Sequence, residues 1–404
     1  MKRILACAFA VLVISTTAFS KNFFSQRFFE IKAGTDVDFS NNLFSANDFL
    51  KKDLVIDLRK IADECPEDGF NIRADVAPKL EVNLNIANIH IGLSSGVELY
   101  ESFNMDKGLF NLLGYGNSIG DTMGFEIKND ADVFTYTQAT VGFNLGKLRI
   151  TAQPALFLPI LSMRGGGGSV KVVNGTDGSL KVAMDANINV YSAIALKADK
   201  NNKGITFDTE QVTSILTRGY GFDLGGGVTV PIKDYFNIDA TCRIPIIPGH
   251  LNYKSNVTGG FDYDVKFTDF ENAKQTKRDI VVSNEETSLA INRPMKINAY
   301  LDKNLLGTLF NARAGAGVGI RRPFSDDAVF YPEYYLGFTL NLIDIFKLGI
   351  STAYKDQLFI HQLGTTVNIR IIQIDLGLSS QSSSFKKSFS VPGVGAYAYV
   401  TVGF

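Results

Sequence analysis

Apolar and polar residues alternate along almost the whole of this chain of 404 residues, without an apolar run long enough to cross a membrane as a helix. A membrane-spanning helix needs about 20 consecutive apolar residues. A period of two places successive side chains on opposite faces of a β-strand. The pattern therefore predicts a sheet with one apolar face and one polar face.

The alternation defines fifteen segments, of which the first carries Phe29, Ile31 and Ala33 on one face and Glu30 and Lys32 on the other. Many have the length of about 9–11 residues that a tilted membrane strand requires. The segments are 28–40, 70–86, 89–100, 132–145, 148–160, 179–196, 218–232, 236–248, 293–302, 309–322, 330–342, 347–355, 358–370, 373–381 and 393–404. Because a barrel with both ends in the periplasm has an even number of strands, we expect 14 strands, or 16. The number of strands becomes even if a further strand lies at 168–173 or 203–216, or if one of the fifteen segments is not a strand.

Short and long connections alternate between these segments. Tight turns are expected at 87–88, 146–147, 233–235 and 343–345, and long polar loops at 41–69, 101–131, 161–179 and 249–292. This arrangement is typical of outer-membrane barrels, whereas a soluble β-sandwich usually has shorter strands. The predicted fold class is all-β, a single transmembrane antiparallel β-barrel.

The first twenty residues have the form of a secretory signal peptide. Lys2 and Arg3 precede a short apolar stretch at 4–14, and Ala18-Phe19-Ser20 forms a small-residue cleavage site. We expect cleavage after Ser20, export, and a barrel domain at 21–404 in the bacterial outer membrane, in contact with membrane lipid.

One amphipathic helix is expected after the first strand, over 46–64, because apolar residues recur there at spacings of three and four. It either lies on the barrel rim or plugs the lumen. Export permits a disulfide between Cys65 and Cys242, but buried apolar packing is the simpler role for each cysteine.

Enzymatic and nucleic-acid functions find no support in the residues. The formal net charge is −1, which argues against a nucleic-acid partner. His90, His250 and His361 are far apart, so we expect neither a metal site nor a cofactor. The glycine run at 165–168 has no following Gly-Lys-Ser/Thr and predicts a flexible loop. No catalytic residue is predicted.

Three stretches resemble a known family of barrels: 74–80 (ADVAPKL), 148–159 (LRITAQPALFLP) and 219–230 (GYGFDLGGGVTV). In these the chain resembles the FadL-type outer-membrane transporters of hydrophobic compounds, and related barrel proteins of spirochaetes. The resemblance implies a monomer that takes up long-chain fatty acids or similar amphiphiles. Those transporters also carry a longer amino-terminal hatch with an Asn-Pro-Ala motif, which is missing here.

The last segment ends on Phe404, after Val402 and Val400 at alternate positions. A terminal aromatic on the final strand resembles the recognition signal of outer-membrane barrels. We therefore expect the barrel-assembly machinery to be a partner through this strand.

Five arginines fall on the polar faces of the predicted strands and are candidate ligand-binding residues of the lumen. They are Arg149, Arg243, Arg313, Arg321 and Arg370. A guanidinium can hold a carboxylate in bidentate fashion, which suits an amphiphile with an acidic head group. Alternatively, each arginine pairs with a lumen acid such as Asp239.

Prolines interrupt several of the strands. Because proline lacks an N–H group, it loosens the hydrogen-bond ladder, and Pro154, Pro159, Pro245 and Pro248 are candidates for a lateral opening from the lumen to the lipid. Strand ends or bulges are the alternative explanation.

The sequence thus predicts a channel for uptake of long-chain fatty acids or other small hydrophobic compounds by facilitated diffusion. A general porin is one alternative. A surface ligand-binding or adhesion barrel without transport, acting through 101–131 and 249–292, is another.

Overall fold

The computed structural model describes residues 27–45, 56–199, 204–208, 219–232, 235–266, 269–343 and 345–404. The signal peptide prediction (1–20) lies outside the described residues. No helix in the described part of the chain is long and apolar enough to cross a membrane.

Nineteen strands follow one another along the described chain. They are β1 (Phe29–Asn41), β2 (Phe70–Ile86), β3 (Ile89–Met105), β4 (Thr122–Leu145), β5 (Leu148–Asn174), β6 (Ser179–Ser192), β7 (Leu196–Ala198), β8 (Ile205–Phe207), β9 (Gly221–Ile232), β10 (Phe236–Ile247), β11 (Gly249–Lys266), β12 (Asp269–Ile291), β13 (Met295–Leu305), β14 (Phe310–Arg321), β15 (Val329–Ile343), β16 (Phe346–Lys355), β17 (Leu358–Ile369), β18 (Ile372–Ser382) and β19 (Gly393–Gly403).

Fourteen of these strands form a closed antiparallel barrel, because β19 pairs with β1. The order around the barrel is β1, β2, β3, β4, β5, β9, β10, β13, β14, β15, β16, β17, β18 and β19. The predicted fold class is therefore confirmed, with the lower of the two expected strand numbers. Closure leaves the barrel wall without an unpaired edge, which is a requirement for a sheet that faces hydrocarbon.

The outer face of the wall carries the apolar half of each alternating strand. Leu93, Ile350, Leu363 and Leu378 are each more than half exposed there. A continuous band of such residues suits the hydrocarbon core of a bilayer, while the polar half of each strand faces the lumen.

Three strands form a sheet extension beyond one end of the barrel: β6 pairs with the outer half of β5, β11 pairs with β6, and β12 pairs with β11. The predictions of long loops at 249–292 and 161–179 were therefore wrong, since β11, β12 and the end of β5 fill these ranges. Strand 132–145 likewise begins earlier, at Thr122. Polar side chains on many positions of these strands hide the alternation that marks a lipid-facing strand.

The surplus predicted strand, 179–196, corresponds to β6, which lies in the extension and not in the barrel wall. This resolves the parity of the strand count. In the range 203–216, the described residues contain β8, which pairs with β7 in a small separate sheet. The rest of that range is outside the described residues.

Two helices lie at the extension end of the barrel, α1 (Leu58–Glu64) and α2 (Lys107–Tyr115). Asp57 caps α1 by accepting hydrogen bonds from the backbone N–H groups of Arg59 and Lys60, both at 3.1 Å. The predicted helix over 46–64 is confirmed only for Leu58–Glu64 and does not continue through Asp57, which has extended backbone angles; residues 46–55 lie outside the described residues. Helix α2 also occupies part of the predicted loop 101–131.

Helix α1 packs against α2 in an apolar cluster that includes Ala62, Cys65 and Phe110. Phe70 and Met105 join this cluster from the wall. Phe70 is the first residue of β2 and Met105 is the last residue of β3, so both lie at the end of the barrel wall. Helix α1, which packs against them, therefore sits at the rim. Cys65 and Cys242 are both free thiols.

Candidate functional site

The lumen is crossed by ion pairs between strands that are not neighbours in the barrel. Three barrel strands (β4, β5 and β9) separate β3 from β10, yet Arg243 Nη1 lies 2.7 Å from Glu98 Oε1. Arg293, from the link between β12 and β13, reaches the same carboxylate at 2.8 Å and Asp223 Oδ2 at 2.7 Å. These groups connect parts of the barrel wall that are not neighbours in the sheet.

Arg321 makes two further contacts beside these ion pairs, and together they form one layer of charged groups in the lumen. On β14, the guanidinium of Arg321 donates to the backbone oxygen of Tyr100 at 3.2 Å and lies 3.4 Å from the carboxylate of Asp132. We call the layer the charged septum. Its members are Arg73, Glu98, Asp132, Asp223, Arg243, Arg293, Lys296, Arg321 and Asp356.

The hairpin between β16 and β17 supplies the last part of the charged septum. Its two-residue tip, Asp356-Gln357, has positive φ angles of 49° and 66°, as in a type I′ turn. Arg73 on β2 donates to the Asp356 backbone oxygen at 3.2 Å and to Gln357 Oε1 at 2.9 Å. Lys296 on β13 holds the Asp356 carboxylate from the other side, with Nζ at 2.9 and 3.0 Å from its oxygens.

A cavity of about 380 Å³ adjoins the charged septum. Tyr300, Tyr335 and Tyr397 supply aromatic walls. The charged groups of the lining are the cations Lys296, Arg313 and Lys355 and the acids Asp36, Asp38 and Glu333. We call it the tyrosine cavity. Pockets that bind small molecules commonly have volumes of about 300–1,000 Å³, with mostly apolar walls and a few polar groups.

Glycines on the facing strands make room for the tyrosine rings. A Cβ atom on Gly315 would lie 2.1 Å from Cδ1 of Tyr300, and one on Gly319 would lie 2.3 Å from the ring of Tyr331. Both glycines belong to the sequence GAGVG of β14, whose alternation indicated a strand. The rings therefore lie directly against the backbone, and the cavity keeps its width.

Of the five candidate arginines, three lie in the lumen and are paired with acids. Arg243 and Arg321 belong to the charged septum, and Arg313 Nη1 lies 3.0 Å from Asp239 Oδ2. Arg313 also lies over the ring of Tyr300, at 4.3 Å from the centroid. Pairing of each arginine with a lumen acid was the alternative that the sequence left open.

The other two candidates lie near the opposite end of the barrel. Arg149 lines a polar cavity of about 430 Å³ together with Thr229 and Asp302, and its guanidinium has no hydrogen-bond or ion-pair partner among the described residues. The placement of Arg370 on a lumen face was wrong: it lies in the turn between β17 and β18 with φ of 47°. A strand that ends one residue early is not visible in the alternation.

The candidate prolines cluster around a change of partner in the barrel wall. Strand β5 pairs with β9 from Arg149 to Phe157, and with β6 from Leu161 onward. The start of β9 and the end of β6 therefore lie along the same edge of β5, one after the other. We call this place the wall break.

Pro159 lies at the wall break on β5, and a Cβ on Gly249 would be 2.5 Å from its Cδ. Pro248 separates β10 from β11 on the other side, and Pro245 lies at a shift of register between β10 and β9. Pro154 is different, since it pairs with Leu224 inside an unbroken register. Toward β4, however, the pairing passes from Ala155 directly to Ala152, so the ladder is interrupted at Pro154 on that side.

An apolar cluster fills the wall break. Ile194, which follows β6, is buried there with Phe134, Phe157, Leu251 and Ile291. Phe134 and Phe157 meet edge to face with ring centroids 6.0 Å apart. Beside the cluster, two backbone hydrogen bonds remain at the wall break, from Ala193 N to Ile160 O at 3.0 Å and from His250 N to Gly219 O at 2.9 Å.

A second set of ion pairs closes the barrel near the extension. Arg322, which follows β14, bonds to Asp132 at 2.9 Å, to Asp327 at 2.9 Å and also to Asp130. Arg164 on β5 holds the other oxygen of Asp327 at 3.2 Å. We call these five residues the mouth latch, because they join the β14–β15 loop to β4 and β5.

The charge of Asp327 in the mouth latch is set by the groups that contact it. Burial alone would raise the pKa of Asp327, but the hydrogen bond from Ser325 and the charges of Arg164 and Arg322 hold it below the ordinary value. The aspartate is therefore ionised at neutral pH.

Sequence reasoning missed several members of the site. Lys296 and Tyr300 are visible in the sequence as polar-face residues of one strand, and that signal could have marked them. Arg293 and Asp356 carry no such signal, since one follows a long strand and the other is a turn residue. No group of three or more His, Cys, Asp or Glu among the described residues could hold a metal ion.

The closed barrel, with its apolar outer band and the ion pairs inside it, defines a membrane-spanning β-barrel with a partitioned lumen. No family model and no curated protein matches the sequence. Among solved structures, the P. putida toluene transporter TodX matches at 8% identity, over 95% of this chain and 91% of that chain, with a TM-score of 0.47.

Two other solved barrels are also similar to this chain over most of its length. CymD, a monoaromatic hydrocarbon channel, matches at 9% identity over 94% of this chain and 89% of that chain, with a TM-score of 0.48. The translocator domain of the autotransporter NalP from Neisseria meningitidis matches at 8% identity over 100% and 93%, with a TM-score of 0.32. All three scores are below 0.5, so neither the family nor the cargo of this chain follows from them.

Proposed function

We propose that this protein is an outer-membrane channel of FadL type that takes up small hydrophobic or amphiphilic compounds by facilitated diffusion. The observation that carries the proposal is the tyrosine cavity, in which aromatic walls and the cations Lys296 and Arg313 lie side by side within the lumen. Such a site suits a molecule with an apolar body and a polar or acidic head. Long-chain fatty acids are one such class.

The charged septum argues against the general porin. A porin conducts ions through an open polar lumen. Here the pairs Arg243–Glu98 and Arg293–Asp223 cross the lumen. A compound that leaves the lumen sideways through the wall does not have to pass these ion pairs, whereas a hydrated ion that crosses the barrel does.

The wall break offers the exit that such a compound needs. Ile194 and Leu251 fill it with apolar side chains, and Pro159 and Pro248 flank it without N–H groups to complete a ladder. We take this as the lateral path from the lumen to the lipid. A displacement of a few side chains opens it without unpairing a strand.

Mass spectrometry of the purified barrel separates the three candidate functions. We expect an aliphatic or aromatic amphiphile to co-purify, and proteoliposomes to take up a labelled fatty acid with low ion conductance. An empty barrel with a steady open conductance would indicate the porin. A barrel that is empty, does not conduct and takes up nothing would indicate a surface-binding role.

Export and assembly are part of the same proposal. We expect cleavage of the signal peptide after Ser20, a monomer in the outer membrane, and recognition of β19 by the barrel-assembly machinery. The ring of Phe404 lies 5.9 Å from that of Phe29. Replacing Phe404 by Ala should lower the amount of assembled barrel, measured as the heat-modifiable fraction on a gel, while Phe389→Ala, in a distant loop, serves as the control.

A further inference from the structure

The tip Asp356-Gln357 is held in the lumen by groups from strands on both sides of its own hairpin. Arg73 belongs to β2, which three strands separate from β17, and Lys296 belongs to β13, which two strands separate from β16. A hydroxyl from β15 adds to this, since Tyr331 donates to Asp356 Oδ1 at 2.7 Å. The tip is thus a bridge across the barrel.

Lys296 shares its single positive charge between two carboxylates. Its ammonium lies 3.0 Å from Glu333 Oε1 and 2.9 Å from Asp356 Oδ1. Glu333 is fixed on the rigid ladder of β15, whereas Asp356 belongs to a two-residue turn. Of the two partners of Lys296, the aspartate is the one that lies outside the paired part of its strands, in the turn that follows the last pair, Lys355 with Leu358.

Lys296 also faces the tyrosine cavity and a second cavity of about 320 Å³. Asp356 lines the second cavity, and Lys355 lines both. An acidic head group in the tyrosine cavity therefore comes within reach of the ammonium group that Asp356 occupies.

We propose that Lys296 is the anion-receiving residue of the channel, and that the carboxylate of a bound amphiphile replaces the carboxylate of Asp356. The displaced tip swings out of the lumen and opens the charged septum. This inference rests on the proposed function and adds the class of cargo, an organic monoanion with a compact apolar body. Asp356 serves as the built-in counter-ion that keeps the empty channel closed.

The exchange is balanced in charge. In the empty protein, Lys296 faces Asp356; in the loaded protein it faces the ligand carboxylate, and Asp356 is left beside Lys355, whose Nζ is 3.8 Å away. Arg73 gives up its two contacts to the tip and keeps its hydrogen bond to Asn71 Oδ1 at 3.2 Å. A neutral ligand of the same shape gains nothing at Lys296 and leaves the tip in place.

Benzoate and benzamide test the proposal, because they have nearly the same shape and differ in charge. Binding to the purified full-length barrel in nanodiscs is measured by calorimetry, and conductance in planar bilayers. We expect benzoate to bind at least about tenfold more tightly than benzamide, a difference of about 1.4 kcal/mol. Benzoate, and not benzamide, should raise the conductance.

Three variants sharpen the test. Lys296→Gln should remove the preference for benzoate. Asp356→Asn should tighten benzoate binding, because the competing carboxylate is gone, and should raise the conductance without ligand. The double variant D356N/Q357G should behave in the same way, since Asn-Gly is the preferred sequence of a type I′ turn and guards against misfolding.

Asp375→Asn is the matched control. Asp375 is a lumen acid on β18 that accepts hydrogen bonds from Thr366 and Gln373, away from the tip. Equal binding of benzoate and benzamide by the wild type, or unchanged binding in Asp356→Asn, would overturn the proposal. If the wild type takes up benzamide and benzoate equally well, the transport function stands and only this inference fails. If it takes up neither, the transport function fails first.

Discussion

Arg293 and Glu98 meet inside the barrel at 2.8 Å, although 195 positions separate them in the sequence. The same guanidinium lies 4.1 Å from the ring centroid of Tyr136. Arg293 is almost fully buried, so its charge depends entirely on these partners. The charged septum is therefore a structural brace of the barrel as well as a barrier in its lumen.

Replacing Glu98 by Gln should destabilise the barrel strongly, since it leaves Arg243 and Arg293 facing each other with one carboxylate fewer. Breaking a buried pair by removing one partner costs about 3–5 kcal/mol. The free energy of unfolding is measured by denaturant titration in detergent. Glu126→Gln is the control, because Glu126 pairs with Lys128 at an exposed position, where water screens an ion pair and leaves it little effect on stability. Equal effects of the two substitutions would contradict the role of the septum as a brace.

Replacing Gly315 by Ala should narrow the tyrosine cavity, because the new Cβ would lie 2.1 Å from the ring of Tyr300. Overpacking of this kind costs about 1–3 kcal/mol. We expect a lower unfolding midpoint together with a changed tyrosine signal in near-ultraviolet circular dichroism. Gly124→Ala is the matched control, since no atom lies within 4 Å of the position that its new Cβ would take. An unchanged tyrosine signal in Gly315→Ala would show that the ring does not depend on this glycine.

The mouth latch should weaken in acid. The pKa of Asp327 is lower in the folded protein than the value of about 3.9 in an unfolded chain. Its contribution to stability is therefore fully present above about pH 4 and is lost as the pH falls through the lowered folded value. We expect conductance fluctuations in planar bilayers to increase below that point. Asp327→Asn should show the same fluctuations at pH 7, and identical traces for the variant and the wild type at pH 7 would argue against the latch.

Replacing Ile194 by Ala should open the wall break. The substitution removes a buried side chain from the apolar cluster around Phe134 and Phe157, and leaves a cavity between lumen and lipid. We expect faster uptake of a labelled fatty acid into proteoliposomes. Val170→Ala removes a buried side chain elsewhere, beneath α2, and controls for general loosening. If uptake rises equally in both variants, the wall break is not the exit path.

The sequence predicted the barrel because lipid on one side and a polar lumen on the other impose a strict alternation. Where water lies on both sides, as along β11 and β12, neither face has to be apolar, so the strands at 249–266 and 269–291 were mistaken for a loop. The same physics explains Arg370. A turn residue continues the alternation by chance, and nothing in the pattern marks the last hydrogen-bonded pair, Ile369 with Ile372.

The candidate site was predictable only in part. Alternation places Arg243, Arg313 and Arg321 in the lumen, but their partners depend on which strands face each other after closure. Glu98 and Arg243 come together because β3 and β10, which three strands separate in the wall, both point these side chains into the lumen, a relation set by strand order and tilt. The tip at Asp356 was hidden for a similar reason, since a two-residue turn has the same sequence whether it points outward or into the lumen.

The pairing of β1 with β19 has a consequence for how the protein is made. Glu30 lies opposite Gly403, so the two strands that seal the barrel come from opposite ends of the described chain. Until they meet, the sheet has two open edges whose N–H and C=O groups can pair with another chain. The time that the chain spends unsealed therefore sets how much is lost to aggregation. A substitution at Gly34, where a Cβ would collide with the Ala398 backbone, should therefore lower the yield of folded barrel more than the stability of the barrels that have closed.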